Sequence, residues 1–67
     1  MRIHSNVTDR TYQTDEMVYL ANPIQIAKYM DHGATLYDLL SVDSKLVGVF
    51  SRKETYKLYK QWQSREI

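Results

Sequence analysis

The sequence predicts a small α+β domain with the element order β-α-β-β-α, in which two helices pack on one face of a three-stranded sheet. Three observations predict this class. The chain has 67 residues, which is enough for a single domain. Short runs rich in β-forming residues alternate with two segments of helical periodicity. Each of these helical segments begins at a residue suited to capping a helix.

The first strand is predicted at residues 17–21, with the sequence MVYLA, and it ends where Asn22 precedes Pro23. Asn22 is expected to cap the following helix, and Pro23 fits the first helical position because its missing amide hydrogen would be unpaired there anyway. Gln25 is expected to reach back to Asn22 in a capping box, and Gly33 to end the helix.

The helical spacing within this segment predicts one buried stripe and two flanking side chains. Ile26, Ala27 and Met30 form the expected stripe, while Ile24 and Tyr29 lie at its sides. A helix of this length is too short to persist alone in water, so its caps and its buried stripe must hold it.

Residues 34–42 and 45–50 are predicted to form a hairpin around a tight turn at Asp43 and Ser44. The later strand is apolar on both faces, which places it in the centre of the sheet. A right-handed crossover then gives the spatial order 1-3-2. Gly48 predicts a close approach by a helix side chain, with Trp62 or Tyr59 as the expected neighbour.

The last helix is predicted from about Arg52 to Arg65, with Ser51 and Glu54 as a capping box. Its expected buried stripe follows the i, i+3, i+4, i+7 spacing, and a basic row occupies the opposite side. The stripe consists of Thr55, Leu58, Tyr59 and Trp62, and the opposite side of Lys53, Lys57, Lys60 and Ser64.

Residues 1–16 are polar and show neither strand nor helix periodicity, so they are expected to form an arm or an added edge strand near Ile3 to Val7. Residues 17–67 form the domain. Because both helices occupy one sheet face, the other face needs the arm, a second copy or a partner to cover it. That face carries either Val47 and Val49 or Leu46 and Phe50.

The sequence offers little for catalysis, and we expect neither enzymatic activity nor a cofactor or metal site. There is no cysteine, and His4 and His32 are far apart. His32 is expected to interact with the C-terminal end of the first helix. No nucleophile-elbow sequence or glycine-rich phosphate loop is present. No small-molecule substrate is evident.

No apolar run approaches the length of a membrane span, and residues 1–16 lack the apolar centre of a secretory signal. A cytoplasmic location without membrane association is therefore expected. Net charge is −1 over residues 1–16, −1 over residues 17–51 and +3 over residues 52–67.

The basic C-terminal helix raises the hypothesis of nucleic-acid binding through Lys53, Lys57 and Lys60. Two observations disfavour it. The spacing places Tyr59 and Trp62 on the buried side of the helix, and the net charge of +1 is small for a nucleic-acid-binding domain.

Three stretches resemble small uncharacterised proteins of phages and prophages of Gram-positive bacteria, in a family described as a domain of unknown function. They are V-Y-L-A-N-P-x-Q-x-A-x-Y-M-x-x-G, KLVGVF and S-R-K-E-T-x-x-L-Y-x-x-W, within residues 17–66. Gly48 departs from the larger apolar residue usual in such proteins. The resemblance implies an accessory protein inside a bacterial cytoplasm, and it carries over no active site.

The leading functional hypothesis is therefore a non-enzymatic phage or prophage accessory protein that modulates a host or phage regulator through protein–protein contact. The expected partner surface consists of Tyr29, Tyr56, Val47 and Val49. The alternatives are the nucleic-acid-binding protein described above and a self-associating structural component, such as a homodimer.

Overall fold

A computed structural model describes all 67 residues and contains five strands, two α-helices and one short 3-10 helix. The strands lie in two separate antiparallel sheets, of two and three strands. The α+β class predicted from the sequence is confirmed. The elements in chain order are β1 (Arg2–His4), β2 (Thr11–Gln13), the 3-10 helix (Thr14–Glu16), β3 (Met17–Leu20), α1 (Pro23–Asp31), β4 (Asp38–Val42), β5 (Lys45–Ser51) and α2 (Arg52–Gln63).

The larger sheet has the order β3-β5-β4, with β5 in the centre and antiparallel to both neighbours. This is the predicted order 1-3-2, and β3 and β4 consequently run in the same direction. Side chains of β5 alternate between the two sheet faces. Gly48 and Phe50 face the helices, where they contact Ile26 and Tyr29 of α1. Val49 faces the opposite side.

Helix α1 begins at the predicted cap but buries a different face from the one expected. The Asn22 side chain accepts hydrogen bonds from the amides of Ile24 and Gln25, at 3.0 and 3.4 Å. The Gln25 side chain does not close a capping box, because its amide nitrogen donates to the Tyr29 hydroxyl at 3.2 Å. Tyr29 is only 1% exposed, and its ring packs edge-on against Phe50. The predicted buried stripe is therefore wrong for two of its three residues. Ala27 and Met30 are exposed, and only Ile26 is half-buried.

Helix α2 begins at Ser51, whose hydroxyl accepts from the Glu54 amide at 3.3 Å. The Glu54 carboxylate does not accept a hydrogen bond from the Ser51 amide, as a capping box would require. It accepts instead from the amide of Thr35, at 2.6 Å, and from the Thr35 hydroxyl at 3.3 Å. Glu54 therefore anchors the loop between α1 and β4 to the start of α2. Within the predicted stripe, Thr55 is buried, whereas Tyr59 is 48% exposed.

Gly48 lies where a helix side chain approaches the sheet closely, as the sequence predicts, but the neighbour differs. A Cβ atom on Gly48 would lie 3.2 Å from Cδ1 of Ile26 and 3.2 Å from Cε2 of Phe50. The approaching helix is thus α1 and not α2, so the expectation of Trp62 or Tyr59 is wrong. The physical reason is that α1 directs Ile26 against Gly48 and Tyr29 against Phe50 on the helix-bearing face of β5.

The N-terminal residues form a hairpin that covers part of the second face of the larger sheet, around Val49. Strands β1 and β2 pair with each other, with Ile3 opposite Tyr12, and neither joins the edge of the larger sheet. The expectation of a loose arm, or of an added edge strand from Ile3 to Val7, is thus corrected. Tyr12 packs in one cluster with Met17 and Val49, and Ile3, Tyr37 and Leu40 lie around it.

The turn between β4 and β5 has the predicted position, and its backbone suggests a stabilising change. Asp43 and Ser44 both have positive φ, 51° and 65°, as the two central residues of a type I′ turn require. Glycine adopts this conformation without the Cβ clash that serine incurs. Ser44→Gly is therefore expected to raise the free energy of unfolding by about 0.5 kcal/mol, measured by urea denaturation. The same change at Ser41, within β4, should lower it.

Candidate functional site

The four residues predicted to form a partner surface do not lie together on the outside of the protein. Tyr29 and Val49 are buried, at 1% and 0% exposure, beneath α1 and beneath the N-terminal hairpin respectively. Val47 is half-buried, and Tyr56 is 57% exposed. The expectation that Tyr29 lies at the surface is therefore wrong. The sheet face that needed a cover is covered around Val49 by the chain's own N-terminal hairpin, while Tyr19 and Val42 on the same face stay about half exposed.

A different apolar surface is open. A groove of about 350 Å³ runs between β3 and α2 on the helix-bearing face of the larger sheet. Its walls are formed by side chains of three elements, and almost all of the lining is apolar. The lining residues are Val18, Leu20, Tyr29, Arg52, Thr55, Tyr56 and Tyr59.

The groove has a basic rim. Arg52, Lys53 and Lys60 are exposed on α2 beside it, and no carboxylate lies within ion-pair distance of any lysine or arginine of the chain. Nζ of Lys60 lies 4.7 Å from the centroid of the Tyr56 ring, which is a cation–π contact. Lys57 occupies the next position around the helix, adjacent by spacing to Lys53 and Lys60. The three lysines of the nucleic-acid hypothesis therefore form one exposed row.

Arg52 differs from these lysines because its position is fixed by hydrogen bonds. Its guanidinium donates to the carbonyl oxygens of Asp15 and Met17, at 3.0 and 3.1 Å. The charge is thereby held over the start of β3. Glu16 lies near the same end of the groove. Asp15 and Glu16 therefore both lie near Arg52 at this end, but neither carboxylate is within ion-pair distance of Arg52 or Lys53.

Sequence reasoning missed Val18, Leu20 and Arg52 as surface-forming residues and assigned Tyr59 to the core. A four-residue strand shows too little alternation to reveal which of its faces is partly open. The available signal was β3 itself, because a first strand in the order 1-3-2 lies at a sheet edge, where side chains have neighbours on one side only.

A second cluster, which is buried, joins the N-terminal hairpin to the larger sheet. The Asp38 carboxylate accepts from the hydroxyls of Ser5 and Tyr12, at 2.6 and 2.7 Å, and from the amide of Leu39 at 2.9 Å. The Ser5 hydroxyl also accepts from the amides of Val7 and Thr8. Ser5 and Asp38 are 1% and 5% exposed. Every polar group of this cluster is therefore engaged in holding the hairpin in place.

The environment of this cluster shifts two pKa values in opposite directions. Burial by itself raises the pKa of Asp38, but the hydrogen bonds from Ser5, Tyr12 and the Leu39 amide outweigh it and leave the pKa below its usual value of 3.8. Burial, followed by the hydrogen bond to Asp38 and its negative charge, raises the pKa of Tyr12 to about 12.

These shifts predict a window of maximal stability. Because the folded-state pKa of Asp38 is lowered, its contribution to stability is complete above about pH 4 and is lost as the pH falls further. Because the folded-state pKa of Tyr12 is raised from 10.0 to about 12, its contribution is complete below pH 10 and is lost as the pH rises toward 12. The urea concentration at the unfolding midpoint should decrease below about pH 4 and again above pH 10. In the Tyr12→Phe variant, most of the decrease between pH 10 and 12 should be absent. An unchanged alkaline fall in this variant would contradict the assignment.

The two histidines have local partners. Nδ1 of His32, the cap residue that follows α1, lies 2.8 Å from the carbonyl oxygen of Lys28, in agreement with the expected role at the helix end. Nδ1 of His4 lies 3.1 Å from the Thr11 hydroxyl, and its Nε2 lies 2.9 Å from an Asp9 carboxylate oxygen. No three His, Cys, Asp or Glu side chains of the chain are grouped as a metal site would require. Neither α-helix is long and apolar enough to cross a bilayer.

Comparisons of the chain with models of protein families, with curated proteins and with solved structures each gave no significant match.

Proposed function

We propose that the chain is a small non-enzymatic protein-interaction module, which binds an acidic protein partner through the groove between β3 and α2. The observation that carries this proposal is an open apolar groove bordered by cations that form no ion pair with any carboxylate of the chain. The resemblance of residues 17–66 to phage and prophage proteins supports an accessory role in a bacterial cytoplasm. A host or phage regulator is the partner expected in that setting.

The exposed tyrosines give the groove its capacity for binding. Tyr56 and Tyr59 are each about half exposed, and together they present apolar surface that a partner would remove from water. Tyrosine is enriched among the residues that dominate interface energies, because it buries a large area and loses little conformational entropy. The basic rim adds electrostatic steering and favours partners of negative charge.

The proposal is tested by selecting binders from a random peptide library on the immobilised full chain. Enriched peptides are expected to be acidic and to lose about tenfold in affinity for Tyr56→Glu. The matched control is Leu46→Glu, because Leu46 is exposed to nearly the same degree, 59% against 57%, but lies at the far end of β5. A library that yields no peptide sensitive to Tyr56→Glu would refute the proposal.

Single-stranded nucleic acid is the second candidate, favoured by the exposure of Tyr56 and Tyr59 beside the lysine row. Exposed aromatic rings can stack on bases while the lysines contact phosphates. This candidate predicts that a fluorescent single-stranded oligonucleotide binds with an affinity that falls steeply with salt. Lys53→Glu should weaken that binding, and Lys45→Glu at the distant turn should not. Absence of binding at low salt would eliminate the candidate.

A further inference from the structure

The groove lies between an edge strand and a helix. Strand β3 pairs with β5 alone, so its other edge has no strand beside it. On that edge the Met17 amide donates to the Thr14 carbonyl oxygen and the Met17 carbonyl accepts from Arg52, so Tyr19 supplies the free backbone amide and carbonyl. Val18 and Leu20 project from β3 into the groove, and Tyr19 projects to the opposite sheet face. Helix α2 forms the other wall through Thr55 and Tyr59. An extended peptide that adds to a sheet edge uses this combination of free backbone groups and side-chain pockets.

We propose that the partner binds through an extended segment that pairs with the free edge of β3 as an additional strand. This inference rests on the proposed function and names the form of its ligand. Alternate side chains of the added strand would point toward the helix side of the sheet and enter the groove between β3 and α2. The apolar lining at Val18, Leu20 and Tyr59 selects apolar side chains at those positions.

Charge selects the residues at one end of the added strand. The Met17 end of β3 lies beneath Arg52, whose guanidinium is held by the carbonyl oxygens of Asp15 and Met17. Lys53 is at the same end, where Asp15 and Glu16 form no ion pair with Arg52 or Lys53. The other carboxylate near the start of α2, Glu54, is directed to Thr35. The segment should therefore carry acidic residues at the end that reaches Arg52 and Lys53, and apolar residues at the end that reaches Leu20.

The shortness of β3 limits how much backbone pairing can contribute to binding. A strand of four residues offers few free backbone groups, so the strand alone is a poor template for unspecific aggregation. Side chains in the groove and charges at its end would then supply the selectivity that backbone pairing lacks.

The test is a titration of the isotope-labelled full chain with a blocked peptide in which valine and isoleucine at alternate positions lead into glutamates. Two N-methylated versions carry methyl groups on the amides of one edge or of the other. Methylation of the edge that pairs with β3 should weaken binding about tenfold, and methylation of the outer edge should leave it within about twofold. The Tyr19 amide should gain protection from hydrogen exchange. Lys53→Glu should weaken binding, and Lys45→Glu should not.

The outcomes separate the inference from the function on which it rests. If both methylated peptides bind as well as the parent, side chains alone hold the ligand and strand addition is wrong, while groove binding stands. No binding at about 1 mM peptide, with Tyr56-dependent peptides still recovered from the library, also refutes strand addition alone. If the library yields no peptide that is sensitive to Tyr56→Glu, both groove binding and strand addition are refuted. Binding of an oligonucleotide in place of any peptide would likewise overturn both and assign the surface to nucleic acid.

Discussion

Asp38→Ala is expected to lower the free energy of unfolding by about 3 kcal/mol, a large part of the stability available to a domain of this size. The substitution leaves the buried hydroxyls of Ser5 and Tyr12 without their acceptor and removes a partner of the Leu39 amide. Urea denaturation followed by circular dichroism measures the change. Amide protection should fall most in β1 and β2, because Asp38 joins the hairpin to the sheet.

The control for this prediction is Asp31→Ala, which removes an exposed carboxylate from the last turn of α1. A surface change of this kind should alter stability by less than about 0.5 kcal/mol. Asp38→Asn retains an acceptor oxygen and should cost less than Asp38→Ala. Equal stabilities for the variants at positions 31 and 38 would mean that the hairpin is not held by this cluster.

Gly48→Val is expected to lower the free energy of unfolding by about 2 kcal/mol, because α1 packs too closely over β5 to admit a branched side chain. The first added carbon would already lie 3.2 Å from Ile26 and from the ring of Phe50. Relief requires Ile26 to leave its rotamer or α1 to shift, and a shift of α1 would also loosen the contact between Tyr29 and Phe50. The near-ultraviolet circular dichroism of the tyrosines should weaken accordingly.

A matched substitution separates crowding from strand propensity. Ser41→Val introduces the same side chain into β4, on the same sheet face, at an exposed position opposite Leu46. Valine is favoured in strands, so this variant should be neutral or slightly more stable. If Gly48→Val were also stabilising, α1 could not lie against β5 as described.

The strand order could be predicted from the sequence because local signals agreed with one another. The proline after Asn22, the polar pair Asp43 and Ser44, and the cap at Ser51 each mark an element boundary within a few residues. Handedness of the crossover and the two apolar faces of β5 then leave few arrangements of three strands. Each of these signals acts through the backbone torsions and hydrogen bonds of adjacent residues, so it does not depend on how the elements pack against one another.

The buried face of α1 could not be predicted in the same way. Two overlapping stripes satisfy helical spacing, one containing Ala27 and Met30 and the other containing Tyr29. The choice between them depends on how α1 crosses the sheet. In the structure the Phe50 ring and the small surface of Gly48 admit Tyr29 and Ile26, and this complementarity involves residues distant in sequence.

The N-terminal hairpin was missed because its strands have three residues each, too few to display a period. Its core contribution comes from Tyr12 and Ile3, which appear isolated among polar residues. Its attachment comes from a hydrogen-bonded pair, Ser5 and Asp38, separated by 33 positions. The candidate groove could not be predicted either, because the open apolar surface was expected on the sheet face opposite the helices, whereas the groove lies on the helix-bearing face beside β3.

The measurement that tests this structure most directly is a nuclear Overhauser experiment on the ring protons of Tyr12. The structure predicts contacts from this ring to the side chains of Val49 and Met17 within one molecule. A sample mixing labelled and unlabelled chains should therefore show no such contacts between molecules. A Tyr12 ring without contacts to Val49, or with contacts only between molecules, would contradict the self-covered sheet and return its second face to an external partner.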